Sequence, residues 1–331
     1  MKTLKHIFGV DVSKDKLDLY SSCKGNFVLR NEELGFKKLL KILPENALVV
    51  IEATGYYHYL LAQFLVKHNV SVSVVNPLSV KRFIQMKLSQ VKTDKSDAKF
   101  IYQYALTNKM PEYKVLSEVQ FECLQLYRLL DIYVKQSTAI KNKIHGEKVL
   151  GFPSKAVIDS LKRNLEYLKN EMTLIEEELV GLISTEYKDQ LDLLKTIPGI
   201  GNKTAMYLII ISNGFRKFEK GKQLCNYAGI TPAIRESGSS VRGKSRISKM
   251  GNKKLRNLLF LASFTASKYN RACRELYERI IAKGKSKKLA MIAVANKLIK
   301  QAFAVVKKGV VYNENYVSKL YNTENIKVVL E

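Results

Sequence analysis

Four carboxylates near the N-terminal end have the types and spacing to do chemistry. Asp11 lies in FGVDVSKDKLDLY, Glu52 in VVIEATGYY, and Asp94 and Asp97 in KTDKSDAKF. Asp11 and Glu52 each close an apolar run that reads as a strand. Asp94 and Asp97 open a helical pattern, where a spacing of three puts both on one side of the helix. Three segments far apart in sequence thus each deliver an acid. Hard divalent cations take such oxygen donors, so the expected cofactor is Mg²⁺, with Mn²⁺ as its substitute. A carboxylate cluster around one or two such ions can activate an oxygen nucleophile and stabilise a leaving oxygen at phosphorus. Any one of these acids alone reads as structural, Asp11 as a turn cap and Asp94 or Asp97 as a first-turn acid facing the helix dipole. The joint pattern favours a site.

The elements that must position the acids can be read from periodicity. Lys5 to Val12, Leu17 to Ser22 and Asn26 to Arg30 read as successive strands with turns between them. Asn31 to Leu43 reads as an amphipathic helix with Leu34, Leu39, Leu40 and Leu43 on its apolar face, stopped by Pro44. Leu48 to Ile51 is a buried strand, Tyr57 to His68 a helix, and Val70 to Val75 a strand closed by Asn76 and Pro77. Helices follow over Val80 to Leu88 and Asp94 to Thr107. Strands first and alternating α and β after them suit a mixed sheet flanked by helices, with the site beyond the strand ends.

The middle of the chain changes period. Leu116, Val119, Cys123, Leu126, Leu130 and Tyr133 step by three and four, and the pattern resumes after Ser137 at Ile140 and Ile144. Beyond Gly151-Phe152-Pro153 a stricter run follows: Ile158, Leu161, Leu165, Leu168, Met172, Ile175, Leu179, Leu182. This heptad seam predicts two long helices, paired as an antiparallel hairpin or across a dimer. The expected organisation is therefore an α/β domain over 1–110, a helical linker over 111–190 and a mainly helical C-terminal domain over 191–331.

Lys and Arg total 56 against 30 Asp and Glu, a net charge of +26 spread along the whole chain. Such an excess points to a polyanionic partner. Membrane association finds little support. Tyr207 to Ile211 is short, and Leu289 to Val306 is interrupted by Lys297 and Lys300, so neither reads as a bilayer span of about 20 apolar residues. MKTLKHIFGV runs into a strand without a cleavable signal, and the expected location is the cytoplasm. Cys23, Cys123, Cys225 and Cys273 lack paired spacing and read as buried small hydrophobes. His6, His58, His68 and His145 show no metal-ligand spacing either.

The C-terminal third carries the basic and phosphate-binding signals. LLKTIPGIGNKTA looks like a helix-hairpin-helix, in which a tight turn at Pro198, Gly199 and Gly201, with Lys203 beyond it, offers backbone N–H groups to phosphate without reading sequence. After YAGITP, eight basic residues face one acid, Glu236: Arg235, Arg242, Lys244, Arg246, Lys249, Lys253, Lys254 and Arg256. Lys92 and Lys95 flank the helix-borne acids and join the expected nucleic-acid contacts. Two further helices are expected, around Arg256 to Ile281 and Lys287 to Lys307, and the tail from Gly309 reads as peripheral.

VDVSKDKLD, VVIEATGYY, KTDKSDA, IPGIG and YAGITPAIRESGSSVRGKSRISKMGNKKLR, in this order, closely resemble the DEDD transposases of insertion-sequence family 110. The resemblance covers nearly the whole chain. It implies a RuvC-like N-terminal domain of the RNase H fold, a coiled-coil linker and a C-terminal transposase domain. It also implies recombination of element ends with target DNA, guided by a structured bridge RNA, with dimers assembling into a tetramer. The family's acids fall on Asp11, Glu52, Asp94 and Asp97. Its nucleophilic serine falls best on Ser237, with Ser239 and Ser240 crowding the same stretch. From the residues alone Ser237 reads as a loop serine, since no His or Lys base is coded beside it. The resemblance makes it the source of a covalent phosphoserine link to DNA. Two other readings share parts of this pattern. A Holliday-junction resolvase-like endonuclease would use the acids with water and leave no adduct. A non-enzymatic RNA- or DNA-binding protein would use the basic half and leave the acids unexplained.

Overall fold

A computed structural model describes residues 6–87, 94–233, 236–237, 241–242, 246–248 and 250–315; at Asp94, Lys95, Ala233, Glu236, Ser237, Val241 and Arg242 it describes the backbone alone. The chain divides into two compact units, Met1–Val115 and Leu116–Glu331.

The first unit is a five-stranded mixed sheet between helices. In chain order it runs β1 (His6–Val12), β2 (Lys16–Ser21), β3 (Gly25–Arg30), α1 (Glu33–Ile42), β4 (Ala47–Glu52), α2 (His58–Lys67), β5 (Ser71–Val75), α3 (Pro77–Met86) and α4 (Asp94–Thr107). The strand order is β3-β2-β1-β4-β5. β1, β2 and β3 form an antiparallel meander, while β4 pairs parallel with β1 and β5 with β4. Strand alternation sorts the side chains onto two covered faces. Phe8, Val10, Val12, Leu17, Leu19, Val49 and Ile51 pack with Phe36 and Leu39 of α1 and Leu61 and Leu65 of α2. Val50 and Val75 pack on the opposite face with Val80 of α3 and Ile101 and Ala105 of α4.

Three local readings change. Leu34 is exposed, and Gly35, Phe36 and Leu39 form the buried stripe of α1. The helix expected from Val80 starts at Pro77, which occupies its first turn, where a missing N–H costs nothing. The Asn76 side chain caps it, accepting from the Leu78 N–H at 2.8 Å. Cys23 is exposed; the other three cysteines are buried, and burial pushes their thiols up.

The second unit opens with the antiparallel hairpin of α5 (Glu118–Val149) and α6 (Lys155–Glu186). Cys123, Tyr127 and Leu130 meet Ile175, Leu179 and Ile183 in one core, so within the chain the seam closes as a hairpin. α5 runs unbroken through Ser137, which is buried in it. Then follow α7 (Lys188–Lys195), α8 (Asn202–Ser212), α9 (Gly221–Ala228), β6 (Pro232–Ala233), β7 (Glu236–Ser237), β8 (Val241–Arg242), β9 (Arg246–Ile247), α10 (Lys253–Tyr269), α11 (Arg271–Ala282) and α12 (Lys287–Lys308). α8 is the hub, buried from Thr204 through Ser212. The single helix expected up to Ile281 breaks at Asn270, which is wholly buried and caps α11 by accepting from the Cys273 N–H.

Residues from Gly309 as far as 315 are not peripheral. The Tyr312 hydroxyl donates to Asn270 Oδ1 at 2.9 Å, and its N–H donates to Thr196 Oγ1 at 3.0 Å. By length and composition α12 could cross a membrane, contrary to the sequence reading. Its Ala290, Val294, Ala295, Leu298, Ile299, Ala302 and Val305 are instead buried in the core of this unit.

Candidate active site

Register carries two of the acids to one place. The β1–β4 ladder pairs Gly9 with Val50 and Val10 with Ile51, so one step further Asp11 stands beside Glu52 at the C-terminal ends of adjacent parallel strands. Glu52 is in turn opposite Val75, which belongs to the α4-covered face. Alternation puts Asp11 on that face as well, with Gly9.

α4 brings a third acid to the same end. A Cβ at Gly9 would lie 2.3 Å from the Ala98 carbonyl oxygen and 2.5 Å from the Tyr102 nitrogen, so the helix backbone rests directly on β1 there. Ala105, towards the helix C-terminus, lines a cavity with Leu48 and Ser71 at the opposite, N-terminal ends of β4 and β5. The N-terminus of α4 therefore points towards Asp11 and Glu52. Asp97 precedes the buried Ala98 and stands one turn before the buried Ile101, half-buried itself. Asp94 is the first residue of α4; its side chain, like that of Lys95, lies outside the description, and Lys92 lies wholly outside the described residues.

One acid on this face was missed. Asp18 of β2 is directly opposite Asp11 in the antiparallel register and only 8% exposed. In KLDLYS it reads as the outward residue between Leu17 and Leu19. Cover on both faces buries it. Asp18 and Asp11 thus set two carboxylates opposite one another across the β1–β2 pair. Among the described residues, no three Asp, Glu, His or Cys side chains are close enough to share one ion. The donor chemistry nonetheless fits a hard divalent cation, since Asp11, Glu52, Asp94 and Asp97 are all carboxylates.

The serine segment belongs to the second unit. β6 pairs with β9, and β7 with β8, two short antiparallel ladders in the segment between α9 and α10, here called the serine arm. Ser237 pairs with Val241, and Glu236 with Arg242. Arg235, Ser239, Ser240, Lys244 and Lys249 lie outside the described residues. Arg246 and Lys253 are exposed.

The foot of the arm is tightly built. Gly251 has φ +135°, and a Cβ there would lie 2.3 Å from the Tyr227 carbonyl oxygen. The Asn252 N–H donates to that same oxygen at 2.7 Å, and Arg256 Nη1 donates to the Ala228 oxygen at 2.9 Å. Arg256 is therefore partly committed to closing α9. The Tyr207 hydroxyl donates to Asn252 Oδ1 at 2.9 Å. Burial pushes the Tyr207 phenol up to about 12, so it serves as a neutral donor. Lys254 Nζ sits 2.8 Å from Asp131 Oδ1 and 4.0 Å from the centre of the Tyr127 ring, anchoring α10 to α5.

The turn between α7 and α8 divides its labour. Gly199, at φ +105°, packs against Ala266 of α10, where a Cβ would come within 2.7 Å. Gly199 is thus a packing residue, and Pro198 is half-buried. Gly201 and Lys203 are exposed at the α8 N-terminus, with Lys203 Nζ 2.6 Å from Glu176 Oε1.

Two family models match the chain. One described as "Transposase", of the DEDD IS110 type, covers residues 8–150. The other, "Transposase IS116/IS110/IS902 family", covers 191–278. A pilin gene-inverting protein of Moraxella lacunata is 29% identical over 92% of this chain and 97% of that protein. The transposase for insertion sequence element IS1111A of Coxiella burnetii is 25% identical over 90% of this chain and 88% of its own. The acid-bearing sheet lies within the first match, and the turn at Gly199 and the serine arm lie within the second. This chain belongs to the IS110 family of transposases, enzymes that act on DNA strands.

Proposed function

We propose that this chain is a divalent-metal-dependent, serine-assisted DNA recombinase, guided by a structured bridge RNA and built on a RuvC-like domain of the RNase H fold. The observation that carries the reading is the convergence of Asp11, Glu52 and the α4 N-terminus at one end of one sheet face. Asp11, Glu52, Asp94 and Asp97 would hold the cation. When bound, Mg²⁺ supplies Lewis acidity at the phosphate oxygens. The Ser237 hydroxyl gives up its proton as its Oγ attacks phosphorus, the scissile P–O bond breaks, and the leaving DNA oxygen takes up a proton in exchange. The phosphoserine link keeps the phosphodiester's bond energy until another strand's hydroxyl displaces it. Positive charge at the reacting phosphate lowers the barrier, a role for Arg235, Arg242, Lys244 and Arg246.

Rejoining is favoured over simple hydrolysis by the relatives. A protein named for inverting a gene must religate what it cuts, and it aligns over nearly the whole of this chain. The net charge of +26 suits a substrate of two DNA partners and a guide RNA held together. Dimers assembling into a tetramer in the cytoplasm would present those partners to one another, with Ser237 of one subunit completing the acid site of another. Strand exchange on element-end and target DNA with bridge RNA tests the reading. Asp11→Asn and Asp97→Asn are expected to abolish cleavage while leaving DNA binding intact. Full activity in both would overturn the acid site.

A further inference from the structure

Asn31, just after β3, joins the two loops that leave the acid-bearing strands. Its Nδ2 donates to the Ser13 carbonyl oxygen at 2.8 Å and to the Tyr57 carbonyl oxygen at 3.3 Å. Ser13 is two residues beyond Asp11, and Tyr57 ends the turn that follows Glu52. The Asn31 N–H also donates to the Asp15 oxygen at 3.0 Å, tying the same residue into the β1–β2 turn.

A primary amide carries two hydrogens on one nitrogen, so Asn31 Nδ2 can serve both carbonyls at once. This also fixes the amide's orientation, because a flip would set its oxygen against two carbonyl oxygens. The cost is visible: Asn31 Oδ1 is buried and has no hydrogen-bond partner among the described residues. An amide held against an orphaned acceptor is one whose donor side is required.

We propose that Asn31 is a positioning residue for the acid site, a clamp that sets the separation of Asp11 and Glu52 by holding the loops beyond β1 and β4 together. The inference rests on the acid site put forward above. The clamp makes no contact with the cation. It acts through the backbone of the two loops, so its loss loosens the donor set without removing a donor.

The test is Mn²⁺ binding by titration calorimetry on the full-length protein, with no nucleic acid present and with folding checked by circular dichroism. Asn31→Asp keeps the shape but turns an oxygen towards both carbonyls. Asn31→Ser keeps one donor, and Asn31→Ala keeps none. Mn²⁺ affinity is expected to fall about tenfold or more in the Asp and Ala variants, and less in the Ser variant. Cleavage in these variants is expected to need more Mn²⁺ for half-saturation and to recover at saturation, which a general loss of stability would not produce. Should Asn31→Asp fail to fold, the Ser and Ala variants carry the test. Wild-type Mn²⁺ affinity in those variants, with affinity lost in Asp11→Asn, would overturn the clamp and leave the acid site standing. Wild-type affinity in Asp11→Asn as well would overturn the acid site and the clamp's role with it.

Discussion

Gly9→Ala adds one methyl group at the place where α4 rests on the sheet. That Cβ would lie 2.3 Å from the Ala98 oxygen, 2.5 Å from the Tyr102 nitrogen and 3.0 Å from the Tyr102 Cα, all backbone atoms that cannot rotate aside. Ordinary contact begins near 3.4 Å, so α4 must retreat by about 1 Å. Overpacking of this kind costs about 1–3 kcal/mol. For a unit the size of Met1–Val115, that lowers the midpoint of its melt by on the order of 10 °C. Asp97 adjoins Ala98 and moves with it, and a misplacement of about 1 Å in a catalytic group costs on the order of a hundredfold in rate. The assay pairs a thermal melt with single-turnover strand cleavage, run well below the melting point. The expected result is a large loss of cleavage with DNA affinity unchanged. Cleavage within about twofold of wild type, with an unshifted melt, would refute the seating of α4 on Gly9 and the acid geometry drawn from it.

Three further variants probe the foot of the serine arm. Lys254→Met removes the contact with Asp131 and the cation over Tyr127, and is expected to cost about 1 kcal/mol in denaturant unfolding. Burial acts to raise the Asp131 carboxyl, but Lys135 and Lys254 outweigh it and hold it below its ordinary 3.8. A depressed carboxyl contributes stability that is full above its unfolded value and is lost as pH falls through the folded one. The gap between wild type and Lys254→Met should therefore be steady above pH about 4 and narrow below it; a gap that widens on acidification contradicts the pairing. Arg256→Ala is expected to lower stability more than DNA affinity, because its guanidinium closes α9 at Ala228. Lys253→Ala, exposed on the first turn of α10, should do the reverse in parallel melting and fluorescence-anisotropy measurements.

Much of this fold is legible because the signals are periodic. The strands carrying Asp11 and Glu52 and the helix from Asp94 to Thr107 follow from alternation and 3.6-residue spacing. The long helices follow from their heptad seam. What stays hidden depends on tertiary cover. Asp18 looks solvent-facing until α4 lies over β2, and Leu34 looks apolar-faced until Phe36 takes the core position. The break at Asn270 is a cap whose partners, Gln301 and Tyr312, come from much later in the chain. The same holds for the candidate site. The acid types can be read directly, but Gly9 as the seat of α4, Asn31 as a tie between loops and Gly199 as a packing residue each depend on contacts between distant segments.

The most direct measurement is to denature the protein during reaction with element-end DNA, bridge RNA and Mg²⁺, then look for protein still attached to DNA. The account predicts a detergent-resistant adduct, mapped by peptide mass spectrometry to phosphorylated Ser237, and absent from Ser237→Ala and Asp97→Asn. Cut DNA with free ends and no adduct, or a full adduct yield in Ser237→Ala, would contradict it.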